Sequence, residues 1–350
     1  MSRPRSNQII WLVSLALLLL GIIANVASGS ADVSAAETLQ GFIAKLQGNQ
    51  PTESAGLAWT VFAQLRLPRT LTAAFVGAAL AVAGVLAQGL FREHLASPTV
   101  LGSEAGGSVA AAVAFYLGLA YWHPLLLPLA AFAGASAATG IAVSISGRGS
   151  SDGSSGFASP IANLMLSGFA INALLGAATS LLITVALEEP GRAGRALAFL
   201  IGGFQGKGFE HVAIASTTFA VGLLAALRLA RPLDVLSLGE ETASSLSIDT
   251  RSLRRWTLAV IGLLVAGSVS AAGALPFVGL MVPHVARHLA GPSHRQLLAL
   301  SAVQGACLVL LADLMARHIR APAELPASIL TAMLGAPFFL MLLSMRRSAE

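Results

Sequence analysis

The sequence predicts an all-α, polytopic membrane protein, on three observations. Apolar stretches of about 20 residues recur from end to end, each long enough to cross a hydrocarbon core of ~30 Å. Charged residues make up only 11% of the 350, and hydrophobic ones 55%, where soluble domains carry roughly 25% charge. Glycine is frequent, at 35 residues, and aromatics are sparse, at 6%. Small residues let helices approach closely in lipid, where no hydrophobic drive acts between them.

Ten apolar segments carry the prediction: 9–28, 70–90, 100–119, 124–146, 161–187, 211–230, 256–275, 277–290, 297–316 and 326–344. The first follows Arg3 and Arg5 and is longer than the apolar core of a cleaved signal peptide, although Ala27, Ser28 and Gly29 offer a small-residue site. A first spanning helix is the preferred reading. The connection 31–63 is the longest on the outer side. Before the second segment, Pro68 suits a first helical turn. The loop 147–156 (GRGSSDGSSG) is low in complexity and reads as flexible. The run 196–203 is too short to span and reads as a short helix at the membrane edge or partly re-entrant. The seventh and eighth segments form a broken pair through 273–276. One transmembrane domain covers 1–350: a first span and outer loop (1–65), spans two to six (66–230), a cytoplasmic loop (231–255) and spans seven to ten (256–350).

Orientation follows from the basic residues. With ten spans and the N-terminus inside, the larger share of the 21 lysines and arginines falls in the cytoplasm, so both termini are expected there. The net charge of +5 is then explained by cytoplasmic arginines, and no nucleic-acid partner is expected. The lone Cys307 allows no intramolecular disulfide, and no metal site is expected.

The most informative polar stretch is 236–249, LSLGEETASSLSID, between the sixth and seventh spans. Ser237 and Glu240 have capping-box spacing, and Leu238, Ala243 and Leu246 could supply apolar contacts. A short helix outside the membrane suits docking into a partner's groove; an ordinary surface turn is the equal alternative. In 273–287, GALPFVGLMVPHVAR, the helix breakers Gly273, Pro276, Gly279 and Pro283 free backbone groups. Those groups must be buried in protein or face a water-filled path. His284 reads as structural or capping, with no second His or carboxylate expected at ligand spacing. On the outer side, Arg66, Arg69 and Arg317 read equally as snorkelling anchors and as receivers of an external partner's acids. Asp313 pairs with Arg317 at i,i+4, and Glu324 suits the dipole at the start of the tenth span. No P-loop is present; Gly206-Lys207 lacks the required Gly and Ser or Thr. Neither G-x-S-x-G nor H-E-x-x-H occurs, nor a ladder of intramembrane carboxylates.

Segments 66–91 (RLPRTLTAAFVGAALAVAGVLAQGLF), 95–102 (LASPTVLG), 236–248, 273–298 (GALPFVGLMVPHVARHLAGPSHRQLL), 310–317 (LLADLMAR) and 321–343 (APAELPASILTAMLGAPFFLMLL) resemble the FecCD family. These are permease subunits of ABC importers for iron-siderophores, haem and cobalamin. The resemblance runs in order from about Arg66 to the C-terminus. It implies a ten-helix subunit that pairs with a second permease chain, identical or related, around a central path. Two ATPase subunits, which would bind the ATP, lie below, and a periplasmic or lipid-anchored substrate-binding protein docks above. Its implied coupling element is Ser237, Leu238, Gly239, Glu240, Glu241, Ala243 and Leu246, and its implied docking residues are Arg66, Arg69 and Arg317.

The chain departs from the family at three places. Glu93-His94 stands where Asn-Pro is usual, and Ile161-Ala162 where a Thr-Ser pair narrows the path in the cobalamin permease. Glu104 stands where a small or amide residue is commoner. The expected activity is ATP-driven import of a metal chelate, foremost an iron-siderophore, across a bacterial inner membrane, with no catalytic residue or cofactor of the chain's own. An ion-coupled secondary carrier and a membrane-embedded enzyme are the rival classes; the missing carboxylates and nucleophile–base pair disfavour them.

Overall fold

A computed structural model describes residues 3–28, 34–49, 51–123, 125–148, 160–186, 199–321 and 323–347. Among them every regular element is helical. The helices are α1 (Arg3–Ala27), α2 (Ala35–Leu46), α3 (Glu53–Val61), α4 (Leu67–Phe91), α5 (Ser103–Tyr116), α6 (Leu119–Trp122) and α7 (Leu126–Arg148). They continue as α8 (Pro160–Ala186), α9 (Phe209–Leu236), α10 (Glu240–Ser245), α11 (Thr250–Ala272), α12 (Val278–Ala290), α13 (His294–His318) and α14 (Ala327–Arg347). Nine of the ten apolar segments map largely onto one helix each, and 100–119 is divided among a 3-10 turn, α5 and α6. Seven helical runs among the described residues are long and apolar enough to cross a membrane; those containing segments 100–119 and 277–290 are shorter, and Ala327–Leu342 is a shorter apolar helix. Most of the loop 147–156 lies outside the described residues, as do Arg192, Arg195 and the start of 196–203.

The second segment is longer than its hydropathy predicts. Helical backbone runs unbroken over Glu53–Phe91, through a π-helical turn at Phe62–Arg66 where the Leu67 N–H donates to the Phe62 carbonyl. Pro68 sits just beyond. A proline inside a helix lacks the N–H and collides with the carbonyl four residues back, and a widened turn relieves that collision. Pro68 therefore marks an irregularity inside a helix rather than its start. The connection 31–63 is likewise no plain loop. It holds α2 and α3, with Phe42 and Trp59 in ring contact at 5.1 Å.

α4 is the central element, packed against α9, α11, α12 and α13. Bare backbone sets these distances. A Cβ on Gly77 would strike the carbonyl of Gly305 in α13, and one on Gly84 the carbonyl of Gly279 in α12. A second close pair, Gly106 and Gly134, joins α5 to α7 in the same manner. Without a hydrophobic drive in lipid, such approaches gain dispersion contact along the full helix length.

Candidate functional site

The polar loop is shaped by its own backbone. α9 ends as the Ser237 N–H donates to the Leu233 carbonyl (3.0 Å) and Gly239 N–H to Leu236 (3.1 Å). Gly239 then adopts φ 128°, ψ 153° and starts α10 with no side-chain cap. At its far end Ser247 is left-handed (φ 60°), and the Ile248 N–H reaches back to the Ala243 carbonyl at 3.0 Å. This is the 6→1 closure of a Schellman turn. Asp249 caps α11, its Oδ1 accepting from the N–H groups of Arg251 (3.0 Å) and Ser252 (3.1 Å).

The predicted capping box at Ser237 and Glu240 does not form. Ser237 keeps helical backbone at the end of α9, and its hydroxyl donates to the Asp234 carbonyl at 2.6 Å. Glu240 is the first residue of α10 and pairs with Arg254 at 3.3 Å. The three apolar residues divide. Ala243 is fully buried within the chain, whereas Leu238 is 72% exposed and Leu246 60%. Glu241 is exposed as well. The loop thus presents two leucines and the carboxylates of Glu240 and Glu241 to solvent.

Behind the loop lies a contact that spacing alone did not reveal. Asp234 Oδ1 accepts from the backbone N–H of His294 at 2.8 Å and lies 2.6 Å from its ring Nδ1. The last turn of α9 is thereby tied to the first turn of α13. The buried ring of His294 fits against Gly89 of α4, where a Cβ would meet it.

The break between the pair packs against neighbouring protein. α11 stops at Gly273 (φ 75°), where a Cβ would strike the Phe199 carbonyl. The short run 196–203, where described, packs onto this corner, with the Gly203 N–H donating to Ala272 at 2.8 Å. Leu275 is buried and Pro276 half-buried in the link to α12. Pro283 lacks the N–H that would bond the Gly279 carbonyl, and that carbonyl lies over Gly84. The Leu280 carbonyl accepts from buried Gln88 Nε2 at 3.2 Å. Of the two fates open to freed backbone groups, these two carbonyls take burial against α4. His284 does have a neighbour of its own type: His288, one turn on, with the two Nε2 atoms 3.3 Å apart.

Arg66, Arg69 and Arg317, expected as docking residues from the resemblance, turn inward within this chain. Arg66 is 8% exposed and Arg317 4%. Arg66 Nη1 donates to the carbonyls of Val26 (3.2 Å) and Ala27 (2.9 Å). Arg69 forks onto Asp313 (Nη2 to Oδ1, 2.8 Å) and holds Glu324 at 2.7 Å. Arg317 pairs with Asp313 at 3.0 Å, as the i,i+4 spacing predicts, and bonds the carbonyls of Asn25 (3.1 Å) and Ser28 (2.8 Å) and the side chain of Asn25. Glu324 therefore answers a charge on α4 rather than the dipole of α14. Together these residues join α1, α4, α13 and the approach to α14. Nearby in sequence to α9, Lys207 stands over the Phe199 ring at 5.2 Å. Burial pushes its ammonium down to about 8, against the opposing pull of Glu210.

Known proteins resemble this chain along most of its length. The model of the FecCD transport family matches residues 17–345. The chain is 39% identical over 283 residues to the Fe(3+) dicitrate transport system permease protein FecD of Escherichia coli K12, covering 81% of this chain and 85% of FecD. It is 36% identical to the hemin transport system permease protein HmuU of Yersinia pestis, over 83% and 84% of the two chains. A solved structure described as an inward-facing conformation of a metal-chelate type ABC transporter superposes with a TM-score of 0.78 at 28% identity, covering 96% and 99%. The chain belongs to the FecCD transport family.

Proposed function

We propose that this chain is the transmembrane subunit of a binding-protein-dependent ABC importer that moves a metal chelate, foremost an iron-siderophore, into the cell. The observation that carries the reading is the family match along 17–345, joined to a polar loop that holds two exposed leucines between long apolar helices. Ten membrane crossings fit the ten apolar segments, three of them carried on shorter apolar helices. Both termini and the loop then face the cytoplasm, within a single transmembrane domain over 1–350. ATP is bound and hydrolysed by two separate subunits, a second permease chain completes the path, and a substrate-binding protein delivers the chelate from outside.

Within the loop, Leu238, Glu241 and Leu246 make the partner contact. Ser237, Gly239, Glu240 and Ala243 shape it from within. The chain itself performs no covalent step; it presents alternately opened faces of a path as the ATPase pair closes and the loop moves. The buried arginines fix the outer end of the bundle instead of receiving the binding protein. Reconstitution in proteoliposomes tests the reading. Chelate uptake should require the ATPase subunits and ATP. Uptake driven by a proton gradient with those subunits absent would replace it with a secondary carrier.

A further inference from the structure

Three arginines from two helices share one cleft near the end of α9. Arg228 and Arg231 stand about one turn apart on α9, and Arg295 lies in the first turn of α13. With Leu224, Leu227 and Ala230 they line a cleft of about 460 Å³. All three arginines are exposed, and no acidic side chain lines the cleft. Asp234, the nearest carboxylate along α9, is engaged by His294. None of the ion pairs among the described residues uses these arginines.

The apolar part of the lining is equally informative. Leu224 and Leu227 are exposed, and with Val221 they continue an outward strip along α9. From Leu224 to Arg231 the helix rises ~10 Å, about the depth from upper acyl chain to headgroup. The geometry points to a binding site for an anionic phospholipid, its phosphate held by the guanidinium forks and its first methylenes laid on the leucines. Three cations in a cleft lined by no acidic side chain favour a headgroup with two phosphates. Guanidinium suits phosphate because its donors form a planar, weakly hydrated fork. A basic pocket between spanning helices near one membrane surface is the setting in which such headgroups bind. An acidic protein would match the arginines and leave the leucine strip bare; the amphiphile matches both. This inference does not depend on which chelate is carried.

Native mass spectrometry of the full-length chain, purified with co-expressed ATPase subunits, tests it. Titration with diphosphatidylglycerol should show saturable binding that phosphatidylcholine does not reproduce. The R228Q/R231Q/R295Q variant should lose affinity on the order of a hundredfold, with ATPase subunits still bound. R295Q alone, which leaves the α9 arginines in place, should lose on the order of tenfold or less and covers the case of a triple variant that fails to fold. Unchanged lipid affinity in the variants overturns the assignment. Unchanged lipid binding with loss of the ATPase subunits makes the cleft a protein contact. Displacement of the lipid by millimolar inorganic phosphate makes it a free-anion site.

Discussion

Asp313 is the pivot of the arginine cluster because it answers two arginines at once. It is buried, Arg69 and Arg317 both reach it, and no single neutral side chain could satisfy both. Removing one partner of a buried pair leaves an uncompensated charge, at a cost of about 3–5 kcal/mol. Asp313→Asn should lower the thermal midpoint of the detergent-solubilised protein accordingly; an unaltered midpoint would mean the cluster is not structural. Lys207 makes a pH-dependent contribution. Its ammonium loses its proton near 8 in the folded chain and near 10.4 when unfolded. Between those values the unfolded chain holds a proton the native one lacks, so stability rises with pH across that window. Lys207→Met should flatten the rise, measured as thermal midpoint against pH. Sequence alone shows that Arg66, Arg69 and Arg317 sit at one end of the bundle and that Asp313 can reach Arg317. It does not show that Arg69, on another helix, also reaches Asp313, because pairing across 244 residues leaves no trace in local spacing.

Helix ends show why spacing is an incomplete guide. S-x-x-E occurs at Ser34–Glu37 and at Ser237–Glu240, and only the first makes the capping box. Ser34 has extended backbone (ψ 138°), which aims its hydroxyl at the new helix, whereas Ser237 is still the last turn of an old one. A preceding 28-residue helix captured the second serine. Asp249→Ala should therefore destabilise the start of α11 by about 1 kcal/mol, while Ser237→Ala should cost much less; amide exchange at Arg251 and Ser252 reports the difference. Replacing Leu238 and Leu246 together with Ser should weaken ATPase coupling while the chain stays folded, since neither side chain is packed within it. Full coupling in that variant would move the contact elsewhere. The seven long apolar helical runs among the described residues were legible because apolar length survives any packing. The π turn before Pro68 and the helices within 31–63 were not, since both depend on neighbours rather than on local hydropathy.

At the scale of the whole molecule, packing is very uneven. Within the apolar windows, 83% of residues are buried along Glu53–Phe91 and 6% along Leu164–Val185. Two of the α4 contacts, at Gly77 and Gly84, rest on backbone against backbone, where a turn of the helix would drive side chains into carbonyls. Spin labels on α4 and α13 should accordingly keep one distance through the ATP cycle, while labels pairing α4 with α8 should report two. Equal shifts in both pairs would contradict this division. Glycine against glycine is usually discussed as a means of bringing helices together. Here it also works as a keyway that opposes rotation of α4 against α12 and α13, and it predicts that these three move together as a stator. Whatever turns during transport must turn around them.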